Sequence, residues 1–191
     1  MFNPQGYKAE CNGNDFIIIM KDHCSEALND EKIKELCDRD SGIGADGLLL
    51  IDLDVDHYDF KMDYYNNDGS WETMCANGAL CVIQVLQNKG YQFNQNQFLA
   101  GDGEHQLSIE GDTLSIRMKA PTFKTESIDV AGSIGIHVDS GAKHFVTLSS
   151  INQIDQLRQI AQKIRYHDYF TPTGLNVNFL KINNPHEIKV I

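Results

Sequence analysis

The chain has 191 residues, of which 41% are hydrophobic, and its 27 acidic side chains outnumber 16 basic ones to give a formal net charge of −11. Nucleic acids and anionic membranes are excluded as predicted partners, because phosphate binding needs clustered lysines and arginines and the sequence has no such cluster. The length and the hydrophobic content are sufficient for one large or two small folded domains.

The cysteine content and the apolar runs indicate the cellular compartment of the protein. Five cysteines are an odd number in a chain too long to need a disulfide scaffold, and no signal peptide precedes them. The longest apolar runs, residues 16–20 and 48–51, have the length of a strand and not of a membrane span. We therefore predict a reduced, cytoplasmic protein.

The first third of the chain predicts a strand, a helix and a second strand. Residues 16–20 are apolar on both faces of a strand, and Asn29 or Asp30 can cap a helix that continues to Cys37. The glycine spacing in residues 42–47 matches a dinucleotide-binding fingerprint, but a helix precedes it and strand 48–53 follows it. The fingerprint requires the opposite order, so we reject a dinucleotide site.

An acidic turn and further strands follow. Asp52, Asp54 and Asp56 resemble the start of a calcium loop, but His57 stands where glycine is required. A hairpin turn is the better interpretation, and we predict no metal site. Alternating apolar residues predict a strand near residues 60–64. Three more strands, predicted as a β-meander, span residues 97–100, 106–109 and 113–118.

Between these strands, residues 66–81 lead from an Asn-Asp-Gly turn into a helix that ends near Gly90. Cys75 stands at the first turn of this helix, where backbone N–H groups lack internal partners and the helix dipole is positive. That position favours anions, so we expect Cys75 to ionise more readily than an ordinary thiol, and the N–H groups of residues 76–78 to hold a carboxylate. A buried structural cysteine is the alternative interpretation.

The second part of the chain begins after a boundary before Pro121, which gives domains 1–118 and 119–191. Ser150 is predicted to cap a helix. Its predicted buried face contains Ile151, Ile154, Leu157, Ile160, Ala161 and Ile164. Further strands are predicted at residues 135–138, 145–148, 175–180 and 187–191. The chain stops inside the last of these strands, so we expect that some sequence is missing.

Five motifs along the chain occur in the order and spacing of a known family. They are Gly-Asn-Asp-Phe at 13–16, Cys-Asp-Arg at 37–39 with Gly-Ile-Gly-Ala-Asp-Gly at 42–47, Asn-Asn-Asp-Gly-Ser at 66–70, Met-Cys-Ala-Asn-Gly at 74–78 and Asn-Val-Asn-Phe at 176–179. Together they resemble the diaminopimelate epimerases, which are cofactor-independent isomerases of lysine and cell-wall biosynthesis. The resemblance extends over nearly the whole chain.

This resemblance implies an α+β fold of two pseudo-symmetric domains, each a curled mixed or antiparallel β-sheet around a central helix. The N-terminal epimerase domain, residues 1–118, would carry the first catalytic cysteine. The C-terminal epimerase domain, residues 119–191, would be incomplete. In the family, the residues that follow the last strand of this chain carry the second catalytic cysteine, so the resemblance implies that the 191-residue chain alone is inactive.

The resemblance also implies the site residues. Cys75 would be one of two cysteines that exchange a proton with the α-carbon of a small amino-acid substrate, without any cofactor or metal. His144 matches a family histidine that adjusts the ionisation of the cysteines, and a homodimer is implied. The substrate-binding residues implied in the same way are Asn14, Asn66, Ala76, Asn77 and Asn176.

The chain departs from the family pattern at three places. Ala76 replaces a usual glycine, Leu80 replaces a usual arginine, and Ala142-Lys143 replaces an Asn-Pro or Ser-Pro pair. These departures leave two alternatives open, a racemase or epimerase of another amino acid on the same fold and a non-catalytic fragment that only binds ligand. A Cys–His hydrolase is disfavoured, because no histidine lies in a recognisable pairing context with Cys75.

Overall fold

The computed structural model describes residues 6–24 and 28–191. The chain divides into two units, Met1–Met118 and Lys119–Ile191, each held together by its own internal contacts. The division falls at the residue where the sequence places a domain boundary. Each unit combines a mixed β-sheet with helices, so the predicted α+β class is confirmed. Within the described residues, no helix is long and apolar enough to cross a membrane.

The first unit is built on one mixed sheet with two α-helices. Its strands are β1 (Gly6–Cys11), β2 (Asn14–Met20), β3 (Gly47–Asp52), β4 (Phe60–Asn66), β5 (Trp71–Glu72), β6 (Gln97–Ala100), β7 (Gly103–Glu110) and β8 (Thr113–Arg117). Its helices are α1 (Asp30–Cys37) and α2 (Ala76–Asn88), with a short 3-10 helix at Lys21–His23. The strand order is β1-β2-β3-β4-β6-β7-β8, and β5 pairs with the end of β4.

The sheet of the first unit curls around α2. This helix contacts β1 at one edge of the sheet and β8 at the other. Strand β2 is buried on both faces, as predicted, because Ile17 and Ile19 pack with α1 while Phe16, Ile18 and Met20 pack with α2. Burial on both faces explains why β2 has an unbroken apolar sequence and not an alternating one.

The strand β1 is missing from the sequence-based prediction. Its residues alternate between exposed and half-buried positions, so no apolar run marks it. A local signal is nevertheless present, since Asn12 and Gly13 have φ angles of 53° and 85° and form the two-residue turn between β1 and β2. Asn-Gly is the commonest sequence for such a turn, and it identifies a hairpin that the apolar pattern does not reveal.

The glycine-rich segment 42–47 caps α1. The backbone N–H groups of Ile43 and Gly44 both donate to the Leu36 carbonyl, at 3.0 and 3.1 Å. This carbonyl belongs to the last turn of α1, where carbonyls lack partners inside the helix. Gly44 has a φ of 77°, which favours glycine. The segment leaves a helix and enters β3, so it lacks the strand-to-helix order of a dinucleotide fingerprint.

The second unit has its own mixed sheet and one α-helix. Its strands are β9 (Thr122–Phe123), β10 (Ile128–Val130), β11 (Ser133–Asp139), β12 (Lys143–Leu148), β13 (Asn176–Asn184) and β14 (Glu187–Val190). The helices are α3 (Ile154–Arg165) and a short 3-10 helix at Asp168–Phe170. The strand order is β10-β11-β12-β13-β14, and β9 pairs with β11.

The second unit repeats part of the connectivity of the first. In β1-β2-α1-β3-β4 the three successive pairings are antiparallel, parallel and antiparallel. The segment β11-β12-α3-β13-β14 shows the same sequence of pairings, with the helix again inserted between the two parallel strands. The two units are therefore related by an internal structural repeat, as the family resemblance implies.

The predicted start of α3 is wrong. Ser150 does not cap the helix, which begins at Ile154 after Gln153 and has no side-chain cap. The physical reason is that the chain is still tied to the sheet just before this point, because the Ser149 N–H donates to the Leu180 carbonyl at 2.9 Å. The helix can begin only after the chain has left the strand.

The buried face of α3 is narrower than predicted. Leu157 and Ile164 are buried, and Ile164 packs in a cluster with Phe145 of β12 and Leu175. Ile154 was expected on the same face, but 48% of its surface is exposed. It is the first residue of the helix, so it lies at the margin of the contact with the sheet.

The assigned helix starts provide a test of this fold. Asn29 caps α1, where its side-chain oxygen accepts a hydrogen bond from the Lys32 N–H at 2.9 Å. We expect Asn29→Ala to lower the free energy of unfolding by about 0.5 to 2 kcal/mol, because this N–H loses its partner. Ser150→Ala is the matched control and should change it by less than about 0.5 kcal/mol. Urea unfolding followed by circular dichroism measures both, and equal losses would contradict the assigned caps.

Candidate active site

Cys75 is the N-cap residue of α2. Its φ and ψ angles are −136° and 114°, and its Sγ accepts a hydrogen bond from the Gly78 N–H at 3.4 Å. The sulfur therefore occupies the place of the oxygen in an ordinary N-cap. Gly78 lets the helix lie close to β3, since a Cβ atom at this position would be 3.1 Å from the Leu49 side chain. The prediction that Cys75 lies at the N-terminus of a helix is confirmed.

The predicted ionisation of Cys75 is wrong. The pKa of its thiol is raised above the ordinary value of 9.0, chiefly because burial disfavours the charged form. Hydrogen bonds from the Gly78 and Asn77 N–H groups act in the opposite direction and lower the pKa, but they do not outweigh burial. The helix terminus is visible in the local sequence, whereas the loss of solvent around the sulfur depends on packing by distant residues.

A row of side-chain amides lies beside the first turn of α2. The Asn77 Nδ2 group donates to Asn14 Oδ1 at 2.8 Å, and the Asn12 Nδ2 group donates to Asn77 Oδ1 at 3.1 Å. Asn14 lies at the start of β2, so the hairpin β1–β2 brings the first predicted motif against the cysteine motif. The structure thus brings together Asn14 and Asn77, which are 63 residues apart in the sequence.

Asn66 is held at the end of β4 by two hydrogen bonds. Tyr64 Oη donates to Asn66 Oδ1 at 2.8 Å, and Asn66 Nδ2 donates to Ser70 Oγ at 3.0 Å. The backbone closes the same turn, because the Gly69 N–H donates to the Asn66 carbonyl at 3.0 Å. Gly69 has a φ of 84°, which only glycine adopts easily. The predicted Asn-Asp-Gly turn therefore fixes the position of the Asn66 side chain.

An ion group next to the amide row was not identified from the sequence. Arg39 donates to both carboxylate oxygens of Asp15, at 2.7 and 3.1 Å, and to Asp46 Oδ1 at 2.8 Å. The guanidinium lowers the pKa of the Asp15 carboxyl well below its usual range. All three residues lie within motifs that define the family resemblance, so a search for opposite charges in those motifs could have found the group.

The second unit contains the other two predicted site residues. His144 of β12 and Asn176 of β13 are directly paired in the parallel ladder. His144 Nδ1 lies 2.9 Å from Asn178 Nδ2, which can only donate, so the neutral ring carries its proton on Nε2. Burial lowers the pKa of His144, which favours this neutral form. The sequence analysis did not select Asn178, although it belongs to the same motif as Asn176.

A cavity of about 510 Å³ in the second unit contains these residues. Its lining includes His144, Asn176 and Asn178 from the sheet, together with the guanidinium-bearing residues Arg158 and Arg165 of α3. Neutral amides and cations are groups that bind carboxylates. The cavity can therefore accept an anionic or zwitterionic small molecule.

Comparison with known proteins places this arrangement in a family. Residues 6–124 match the family model described as diaminopimelate epimerase. The diaminopimelate epimerase of Flavobacterium psychrophilum is 34% identical over 186 residues, which are 96% of this chain and 70% of that relative. The enzyme of the same name from Aquifex aeolicus is 31% identical over 199 residues, covering 96% of this chain and 71% of the relative.

Solved structures extend the comparison to the fold. A hydroxyproline epimerase from Agrobacterium vitis has a TM-score of 0.62 at 11% identity, and the match covers 97% of this chain and 68% of that protein. A phenazine biosynthesis protein of the PhzF family from Bacillus anthracis has a TM-score of 0.58 at 14% identity, with coverage of 97% and 69%. At these identities the similarity concerns the fold alone, and it agrees with the α+β repeat described above.

The sequence relatives decide the family. The family model covers more than half of the chain, and the two named relatives exceed 30% identity over nearly all of it. The five motifs and the placement of Cys75 agree with this result. The chain belongs to the diaminopimelate epimerase family.

Proposed function

We propose that this protein is a diaminopimelate epimerase, an isomerase that interconverts LL- and meso-diaminopimelate in lysine and peptidoglycan-precursor biosynthesis. The observation that carries the proposal is the position of Cys75 at the N-cap of a buried helix, beside a row of neutral amides, in a chain of this family. The substrate is a small amino acid, and the protein acts in the cytoplasm as a homodimer.

The reaction needs a site that stabilises a carbanion. Removal of the α-hydrogen as a proton leaves negative charge next to a carboxylate, and without a cofactor the protein must stabilise that charge. The backbone N–H groups of Ala76 and Asn77, at the positive end of α2, hold the substrate carboxylate. Cys75 is adjacent to both and exchanges the proton at one face of the α-carbon.

Inversion requires a second acid at the opposite face. A thiolate takes the α-hydrogen as a proton and becomes a thiol, while a thiol on the other face gives its proton to the carbanion and becomes a thiolate. The family resemblance assigns the second role to a cysteine outside the matched segment, and this chain spans about 70% of the length of its relatives. Cys75, the proposed first cysteine of the pair, lies in the N-terminal domain, residues 1–118.

The remaining predicted residues bind the rest of the substrate. Asn14 and Asn66 in the first unit, and Asn176 in the second, provide donors and acceptors for ammonium and carboxylate groups without adding net charge. His144 is neutral, and its Nδ1 atom accepts a hydrogen bond from Asn178. It therefore affects the ionisation of the catalytic cysteines as a polar group and not as a charge. Residues 119–191 form the C-terminal domain that supplies His144 and Asn176.

Isotope exchange tests the activity directly. The protein expressed from its complete reading frame should exchange the α-hydrogen of diaminopimelate with solvent deuterium, as measured by NMR. We expect Cys75→Ala to reduce the exchange rate by about 10³-fold or more, because the proton acceptor is lost. Cys24→Ala is the control, since Cys24 packs beside α1 and not α2, and it should keep the rate. Exchange into another amino acid, with none into diaminopimelate, would contradict the proposal and favour a racemase of different specificity.

The ionisation of Cys75 gives a pH prediction. Because burial raises the pKa of Cys75, we expect its thiol to be ionised to a smaller extent in the ligand-free folded protein than in the unfolded chain. The rate of alkylation by iodoacetamide, followed at Cys75 by peptide mass spectrometry, should therefore rise with pH and reach its midpoint above that of the same thiol in urea-unfolded protein. A midpoint below the unfolded value would show that the helix N–H groups outweigh burial.

A further inference from the structure

Three side-chain amides and one carboxylate form a continuous hydrogen-bonded row at the proposed site. Asn12 Nδ2 donates to Asn77 Oδ1 at 3.1 Å, Asn77 Nδ2 donates to Asn14 Oδ1 at 2.8 Å, and Asn14 Nδ2 donates to Asp46 Oδ2 at 3.3 Å. Every bond in the row points in the same direction, from Asn12 towards Asp46. We call this set of four residues the amide row.

The direction of the amide row is determined at its Asp46 end. An ionised carboxylate only accepts hydrogen bonds, so Asn14 must present its NH₂ group to Asp46 and its oxygen to Asn77. Asn77 must then present its NH₂ group to Asn14 and its oxygen to Asn12. An amide can otherwise rotate by 180° and exchange its donor and acceptor with little change in shape. Without the carboxylate, the row could run in either direction.

Asp46 is itself fixed by charge and by the backbone. Arg39 donates to Asp46 Oδ1 at 2.8 Å while its two terminal nitrogens hold the carboxylate of Asp15. The second oxygen of Asp46 accepts from the Asp15 N–H at 3.3 Å, in addition to its bond from Asn14. Charge-assisted bonds of this kind are stronger than bonds between neutral groups. The carboxylate therefore keeps its orientation.

We propose that Asp46 is a positioning residue for the epimerase reaction, which sets the direction of the Asn14 and Asn77 amides and so the edge that each presents to substrate. This inference rests on the proposed function, in which both asparagines line the substrate site. Asp46 does not touch the reacting atoms. It acts through Asn14, and through Asn14 on Asn77, which lies next to the backbone N–H groups assigned to the substrate carboxylate.

A positioning role of this kind affects binding more than chemistry. If the row can reverse, part of the free protein presents donors where the substrate needs acceptors, and the apparent affinity falls in proportion to the competent fraction. Once substrate has bound, it selects the correct direction, and proton transfer at Cys75 proceeds as before. In Asp46→Asn, Arg39 still requires an oxygen at the Oδ1 position, so the new NH₂ group faces Asn14 and favours the reversed row. If about 90 to 99% of the free protein is reversed, KM rises about 10- to 100-fold. We expect kcat to change by less than about threefold.

Asp38→Asn is the matched control for this experiment. Asp38 immediately follows α1 and leads into the segment that contains Asp46, and it carries the same charge. Its carboxylate accepts bonds from Ser41 and from the Asp40 N–H, away from the three asparagines. This variant removes one negative charge, keeps a side-chain oxygen for the bonds from Asp40 and Ser41, and leaves the amide row intact. It should keep KM within about twofold of the unchanged protein, because no amide loses its direction.

Two measurements together test the proposal. In ¹⁵N–¹H spectra of the unligated protein, the side-chain NH₂ signals of Asn14 and Asn77 should shift in Asp46→Asn and stay in place in Asp38→Asn. In the isotope-exchange assay, Asp46→Asn should show the increase in KM described above. Arg39→Lys keeps the positive charge but cannot make the three bonds to Asp15 and Asp46, so it should also raise KM, by a smaller factor. It serves as the test if Asp46→Asn does not fold.

Failure of the positioning role can be distinguished from failure of the proposed epimerase activity. Unchanged NH₂ signals, or an unchanged KM, would overturn the positioning role. A decrease in kcat and an increase in KM by equal factors, with a lowered Tm and with the same changes in Asp38→Asn, would also overturn it. That pattern indicates a structural role only. If the unchanged protein exchanges no hydrogen of diaminopimelate although the NH₂ signals respond as expected, the proposed function fails while the control of amide direction by Asp46 stands.

Discussion

The burial of α2 inside the curled sheet is the constraint on which the proposed site depends. Ala79, Val82, Ile83 and Leu86 are almost completely inaccessible to solvent, so the helix cannot shift along its axis without losing core contacts. Its first turn is therefore fixed, and with it the sulfur of Cys75. A site formed by backbone N–H groups needs this rigidity, since those groups stabilise charge only when they are already correctly oriented.

The charges near the site are arranged to cancel locally. The chain carries a net charge of −11, which by itself disfavours the approach of a carboxylate group. The side chains that form the amide row beside α2 are neutral except for Asp46. The carboxylates of Asp46 and Asp15 are balanced by two cations, since Arg39 bridges both of them and Lys8 Nζ lies 3.1 Å from Asp15 Oδ2. The first turn of α2 contains no acidic residue, which keeps the positive end of its dipole available. Attraction for a carboxylate thus comes from oriented dipoles and not from net charge.

The sequence predicts the elements that carry local signals and misses what depends on packing. The helical period after Cys75 and the positive φ of Gly90 are local, and the structure agrees with both. The start of α3 depends on where β12 releases the chain, which no local signal records. The two copies of the internal repeat differ in burial, because β2 is buried on both faces whereas Leu148 of the corresponding strand β12 is 65% exposed.

The raised pKa of Cys75 fits a reversible proton transfer better than a lowered one would. In an epimerase each sulfur must accept a proton in one direction and donate it in the other, so a strongly acidic thiol would be a weak base in one of the two directions. Burial raises the pKa of Cys75 and the helix N–H groups lower it, so the two effects partly offset each other. The neighbouring amides of Asn14 and Asn77 add no charge. In the proposed reaction, the α-ammonium group of a bound amino acid would be the cation that favours the thiolate, so we expect ionisation of Cys75 to be coupled to substrate binding.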